Sequence, residues 1–146
     1  MALMIRRQVM LALLIAAATI AAIMYLRDPP WLLSTTSGMR SWETDGSGTR
    51  MRWMGGHASF FVAADARTIE IPIRTAFERP DDWPITVNVS IDDRPANRVV
   101  LTDAAWHRIV LTMPPRGSRK VRRIDLRMDR TRDDNRAAAI GEVVAR

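Results

Sequence analysis

Cysteine is absent, which excludes disulfides, thiolate metal centres, a cysteine nucleophile and a lipidated cysteine anchor. Lysine occurs once, at Lys120, so arginine supplies the rest of a basic count of 22. Histidine occurs twice, as His57 and His107, and the two are not at metal-ligand spacing. There is no P-loop, no Gly-rich dinucleotide turn and no H-E-x-x-H. Ser47 sits in Gly46-Ser47-Gly48 but lacks the G-x-S-x-G pattern of a nucleophile elbow. After residue 30 no long amphipathic helical pattern occurs. What remains is a chain of 146 residues, 47% hydrophobic and carrying a formal charge of +6. That length suits one small domain with a tail, and the apolar content is too high for a disordered chain.

The longest apolar run is QVMLALLIAAATIAAIMYL, residues 8–26, with no charged member. As a helix it is about 28 Å long, close to the ~30 Å hydrocarbon core of a bilayer. Arg6 and Arg7 precede it, Tyr25 and Trp31 bracket its far end, and Pro29-Pro30 stop it. These features predict a membrane anchor over residues 1–27, spanning at 8–26 in contact with lipid. A cleaved signal peptide is the competing reading, with Ala16-Ala17-Ala18 as small residues for cleavage. The run exceeds the usual signal-peptide core and no polar break follows the alanines, which favours the retained anchor. Residues 28–38 read as a short spacer, stiff at Pro-Pro and loose at Ser-Thr-Thr-Ser-Gly.

From residue 39 the period changes to two. Ile69, Ile71 and Ile73 alternate with Glu70, Pro72 and Arg74; Ile85, Val87, Val89 and Ile91 form a second such series. His107, Ile109, Leu111 and Met113 form a third, and Ile124, Leu126 and Met128 a fourth. Shorter runs at 49–54, 59–62, 97–102 and 139–144 also read as strands, with Gly55-Gly56 and the adjacent acid pairs as turns. The pattern predicts an all-β domain over 39–146: a two-sheet antiparallel sandwich, jelly-roll-like, preceded by one transmembrane helix. Pro72 within its run suggests an edge strand. Trp53, in phase with Met51 against Arg50 and Arg52, is expected to point inward.

Three stretches carry a resemblance: RMRWMGGHASFFVAADARTIEIPIRT (50–75), VNVSIDDRPANRVVLTDAAWHRIVLTMP (87–114) and VRRIDLRMDRTRDDNRAAAIGEV (121–143). Over residues 42–143 the chain resembles the extracytoplasmic C-terminal β-sandwich domain of multi-spanning bacterial membrane proteins similar to lipid-linked-sugar-dependent mannosyltransferases. The resemblance supports the sandwich and implies a setting in envelope glycan assembly. It brings no catalytic residues, and this chain has one apolar segment where those proteins have many. It also lacks a tryptophan in the 130–135 stretch. The implied location is the bacterial inner membrane, single-pass, with the domain in the periplasm.

The candidate residues follow from side-chain chemistry. Aromatic faces stack on sugar rings, so Trp42, Trp53 and Trp106, with His57 after the glycine pair, are the glycan-binding candidates. Large side chains also fill small cores, which is the competing role for each. His107 falls on the apolar phase of its strand and reads as a core or sheet-edge histidine. Residues 116–136 hold nine basic and four acidic residues and so carry most of the net charge. Arg119, Lys120, Arg122, Arg123 and Arg127 are there the candidates for anionic lipid or another polyanion; nucleic acid is an improbable partner for an exported domain. Asp133 and Asp134 are the candidate calcium ligands, against the commoner turn role of paired aspartates. Together these features predict a non-catalytic module without cofactor. It binds envelope glycan or docks on a membrane glycosyltransferase-like protein. The alternatives are a secreted glycan-binding protein after signal cleavage, and polyanion binding through residues 116–136.

Overall fold

Branched apolar residues at every second position place one face of each strand in a core and the other in water. The computed structural model describes the backbone from Ala2 and side chains from Arg6. That alternation forms β1 (Thr36–Thr44), β2 (Arg50–Ala63), β3 (Thr68–Thr75), β4 (Ile85–Ile91), β5 (Arg94–Leu101), β6 (His107–Thr112), β7 (Val121–Met128), β8 (Ala138–Gly141) and β9 (Val144–Ala145). Every pairing is antiparallel. The fold is an antiparallel β-sandwich preceded by one apolar helix, α1 (Ala2–Arg27).

The two sheets share β2. Its second half pairs with β7 from His57 to Ala63, and its first half pairs with β8 from Met51 to Met54. One layer is β5-β4-β7-β2 and the other β2-β8-β3-β6, with β1 along the free side of β2 and β9 beside β3. A strand that switches sheets must bend, and the bend falls at Gly55-Gly56. This corrects the expected turn: the glycines lie inside one continuous strand. Both glycines are packed from outside. A methyl group on Gly56 would lie 2.7 Å from Thr131 Oγ1, and one on Gly55 3.2 Å from Asn135 Oδ1. β1 bends alongside at Gly38, whose φ of +70° is left-handed and whose added Cβ would meet the His57 carbonyl oxygen at 2.0 Å. β1 begins at Thr36, inside the stretch with spacer-like composition.

Between the layers lies one core. Ile85, Val87, Val89, Ile124, Leu126 and Phe60 meet Ile69, Ile71, Ile73, Ile109, Leu111 and Ile140. Register decides faces: Ile73 opposes Ile140, and Ile140 opposes Arg52, so Arg52 points to the core side. Trp53 opposes Ala139, which opposes Arg74, so Trp53 lies on the outer face, contrary to its expected inward placement. Pro72 is also corrected. β3 has partners on both sides, and Pro72, which has no N–H to donate, falls in the gap between the β9 and β8 ladders. Asp92 and Asp93, with φ of 49° and 66°, form the two-residue turn joining β4 and β5.

The chain divides into two compact units, residues 1–32 and 33–146. In the first, the large apolar side chains between Val9 and Leu26 are exposed all round α1. Thr19 Oγ1 donates to the Ile15 carbonyl at 2.8 Å, so its hydroxyl is satisfied within the helix. By length and composition this helix is long and apolar enough for a membrane span or a signal sequence.

Candidate functional site

The β1–β2 pair brings Trp42, Arg50 and Arg52 together, with Glu142 reaching them from just after β8. Trp42 on β1 opposes Arg52 on β2, so both face the space between the sheets. A cleft of about 490 Å³ opens there, lined by Met39, Phe60, Ile140 and Val143, with Trp42, Arg52 and Glu142 as its polar-edged members. Trp42 is 41% exposed, the highest of the tryptophans in the β unit. Arg50 and Arg52 lie over its ring at 4.6 and 5.3 Å from the centroid. Arg50 Nη1 donates to Glu142 Oε1 at 3.0 Å. Arg52 donates from Nε to the Arg40 carbonyl at 2.8 Å and from Nη2 to Thr36 Oγ1 at 2.9 Å. Its burial lowers the guanidinium pKa from the usual range.

The turn joining β1 and β2 fixes this geometry. Asp45 Oδ1 accepts from Ser47 Oγ at 2.6 Å and from the Ser47 and Thr49 backbone N–H groups, both at 2.9 Å. The Ser47 hydroxyl, with the Thr49 amide next, pulls the Asp45 carboxyl down to about 2. Its other oxygen faces Trp106 Nε1 at 3.4 Å and Arg74 Nη1 at 3.6 Å.

The other tryptophans of the β unit lie outside this cleft. Trp106 lies over Gly141, with the Arg74 guanidinium 5.2 Å from its ring centre. Trp53 is half-buried under Arg136 at 4.8 Å. Trp83 donates from Nε1 to the Phe77 carbonyl at 3.0 Å and packs against the core. The sequence candidates Trp42, Trp53 and Trp106 therefore do not share one platform. Arg52 and Glu142 carry no motif that signals the cleft; they meet Trp42 only through pairing.

His57 is on the outer face, donating from Nε2 to Asp125 Oδ1 across 3.1 Å. Asp125 is buried and accepts from Arg123 Nε at 2.9 Å. His107 opposes Ile73 on the core side of its strand and donates to Asp103 Oδ1 at 2.7 Å. The Ala105 amide, with His107 next, lowers the Asp103 pKa.

Residues 116–136 do not form one basic surface. Arg122 pairs with Asp92, and Arg123 with Asp93 and Asp125. Arg127 projects from the outer face of β7, while Arg119 and Lys120 precede the strand on an exposed connection. Arg136 Nε donates to Asp134 Oδ2 at 2.7 Å, and Arg132 approaches the same oxygen at 3.7 Å. Asp134 thus serves guanidinium groups and a turn, and Asp133 lies exposed beside it. Among the described residues no three His, Asp or Glu side chains converge as a metal site.

No protein-family model and no curated protein matches this sequence. Solved structures do resemble it. The salicylyl-acyltransferase SsfX3 from a tetracycline biosynthetic pathway superposes with a TM-score of 0.51 at 13% identity, covering 77% of this chain and 36% of that one. An active-site mutant of a family two carbohydrate esterase from Clostridium thermocellum gives 0.50 at 6% identity, covering 75% and 30%. The C-terminal domain of EclA, a sugar-binding protein, gives 0.49 at 12% identity, covering 73% and 90%. The chain thus spans about a third of the esterase and the acyltransferase. What the similarities to the acyltransferase and the esterase establish is the fold alone.

Proposed function

We propose that this chain is a membrane-tethered, non-catalytic β-sandwich module that binds saccharide of the cell envelope in the Trp42 cleft. The observation that carries the reading is the Trp42 indole, 41% exposed at the cleft, with Arg50 and Arg52 against its ring and Glu142 at the edge. An indole face takes the C–H face of a pyranose, and the guanidinium and carboxylate groups hydrogen-bond its hydroxyls. Residues 8–26 serve as the anchor, and the β unit faces away from the cytoplasm. Its setting is beside a membrane glycosyltransferase-like protein, as the resemblance to the mannosyltransferase-associated sandwich implies.

A glycan array followed by calorimetry on the full chain in detergent tests the cleft. Trp42→Ala weakens neutral oligosaccharide binding by about tenfold or more, since a central tryptophan commonly contributes that much. Binding unchanged by this substitution removes the cleft from consideration. A second reading, release after signal cleavage, is favoured by Ala16-Ala17-Ala18 alone. The mass of the mature protein decides it: a chain starting at residue 1 or 2 supports the anchor, and one starting near Thr19 or Ala22 supports release.

A further inference from the structure

A second polar surface lies on the opposite side of β2. Register sets His57, Arg127, Asn88 and Arg98 in one row across β2, β7, β4 and β5. Core residues flank Asn88 and Arg127 along their strands, and pairing carries the same outer face across to His57 and Arg98. A groove of about 610 Å³ runs over the Arg127, Asn88 and Arg98 part of this row, with Ser90, Asp125 and Asp93 beside it.

We propose that this groove binds an acidic saccharide, with a uronate carboxylate held by Arg127 and Arg98 and sugar hydroxyls held by Asn88 and Ser90. Neighbouring strands are about 4.8 Å apart, so Arg127 and Arg98 flank Asn88 at Cα positions about 10 Å from one another. Two long guanidinium side chains can converge over that amide. Among the described residues, the side chains of Arg127, Arg98 and Asn88 have no hydrogen-bond or ion-pair partner. The two nearby carboxylates are already matched: Asp125 by His57 and Arg123, Asp93 by Arg123. Three arginines therefore meet two aspartates, and the two unshared guanidiniums face the groove. Guanidinium binds carboxylate in a two-pronged geometry. Asn88 offers both a donor and an acceptor, and Ser90 a hydroxyl, a mixture suited to sugar hydroxyls rather than to phosphate alone.

The site shares its ligand class with the Trp42 cleft but none of its residues, so each can fail without the other. The test is calorimetric titration of the full chain, in zwitterionic detergent, with oligogalacturonate. The comparison ligands are the same oligomer with its carboxyls reduced to alcohols, and inorganic polyphosphate. Oligogalacturonate binds, and Arg127→Gln or Arg98→Gln each weakens it about tenfold, as loss of a charged hydrogen-bond partner does. Arg108→Gln, an exposed arginine paired with Glu70 and outside both grooves, leaves this binding unchanged. No binding by the unmodified chain, wild-type affinity in the double arginine variant, equal binding of the reduced oligomer, or equally tight polyphosphate overturns the proposal.

Discussion

The helix α1 and the β unit use the same apolar residue types to opposite ends. From Val9 to Leu26 of α1 the isoleucines and leucines belong to one run without a charge and are exposed around the whole circumference. In the β unit they come at every second position and vanish into one core: Ile69, Ile71 and Ile73 have no exposed surface at all. A continuous run gives a helix no polar side to turn toward water, so it needs an apolar solvent. Alternation gives a strand both sides, so two sheets can satisfy each other. The spacing of apolar residues, more than their number, separates a candidate span from a core.

The largest effect belongs to the point where β1 bends. Gly38→Ala puts a methyl group onto the His57 carbonyl in a left-handed backbone, and destabilises the β unit by more than about 4 kcal/mol in urea melts. The comparison sharpens with one substitution made twice. Ile71→Ala opens a cavity in the core and lowers stability by about 2–5 kcal/mol. Ile15→Ala faces no protein neighbour and leaves the melt of the β unit unchanged, with membrane pelleting as the parallel readout. Ile15→Arg breaks the comparison from the other side: a charge at mid-helix opposes insertion by about 3 kcal/mol and reduces the membrane-bound fraction. Equal pelleting of this variant and the parent argues against the anchor.

A smaller, pH-dependent effect comes from Asp45. Its folded pKa, about 2, lies below the ~3.9 of an unfolded aspartate. Its contribution is therefore present above pH 4 and is lost as pH falls toward 2. In urea melts the stability difference between the parent and Asp45→Asn is largest above pH 4 and shrinks toward pH 2. A difference independent of pH over that window shows that the carboxylate charge is not what matters.

Much of the fold is legible in the residues. The alternating series at 69–73, 85–91, 107–113 and 124–128 fall within or against β3, β4, β6 and β7; the acid pairs at 92–93 and 133–134 lie at turns, while Asp81-Asp82 ends a short 3-10 helix, Pro80–Asp82. Gly55-Gly56 misleads because glycine signals a turn and a sharp strand bend equally well; Thr131 and Asn135, seventy-five and more positions later, show which it is. Trp53 misleads in another way. Its phase with Met51 is real, but alternation says only that two residues share a face, and the partner strand β8 shows that this face is outside. Trp42 is legible as a candidate. That it stands at a cleft with Arg52 and Glu142 is not, because no short-range pattern joins positions 42 and 142.

Two properties come from neighbouring residues alone: an apolar helix of bilayer length near the start, and two-residue alternation through most of the remainder. Each arises from the order of residues a few positions apart, so local spacing is enough to set them. The Trp42 cleft and the row from His57 to Arg98 come from pairing instead. Strand register is chosen by the packing of both sheets at once, and a slip of one residue would turn every one of these side chains to the other face. The chemistry of the surface therefore depends on contacts between segments that the chain keeps far apart.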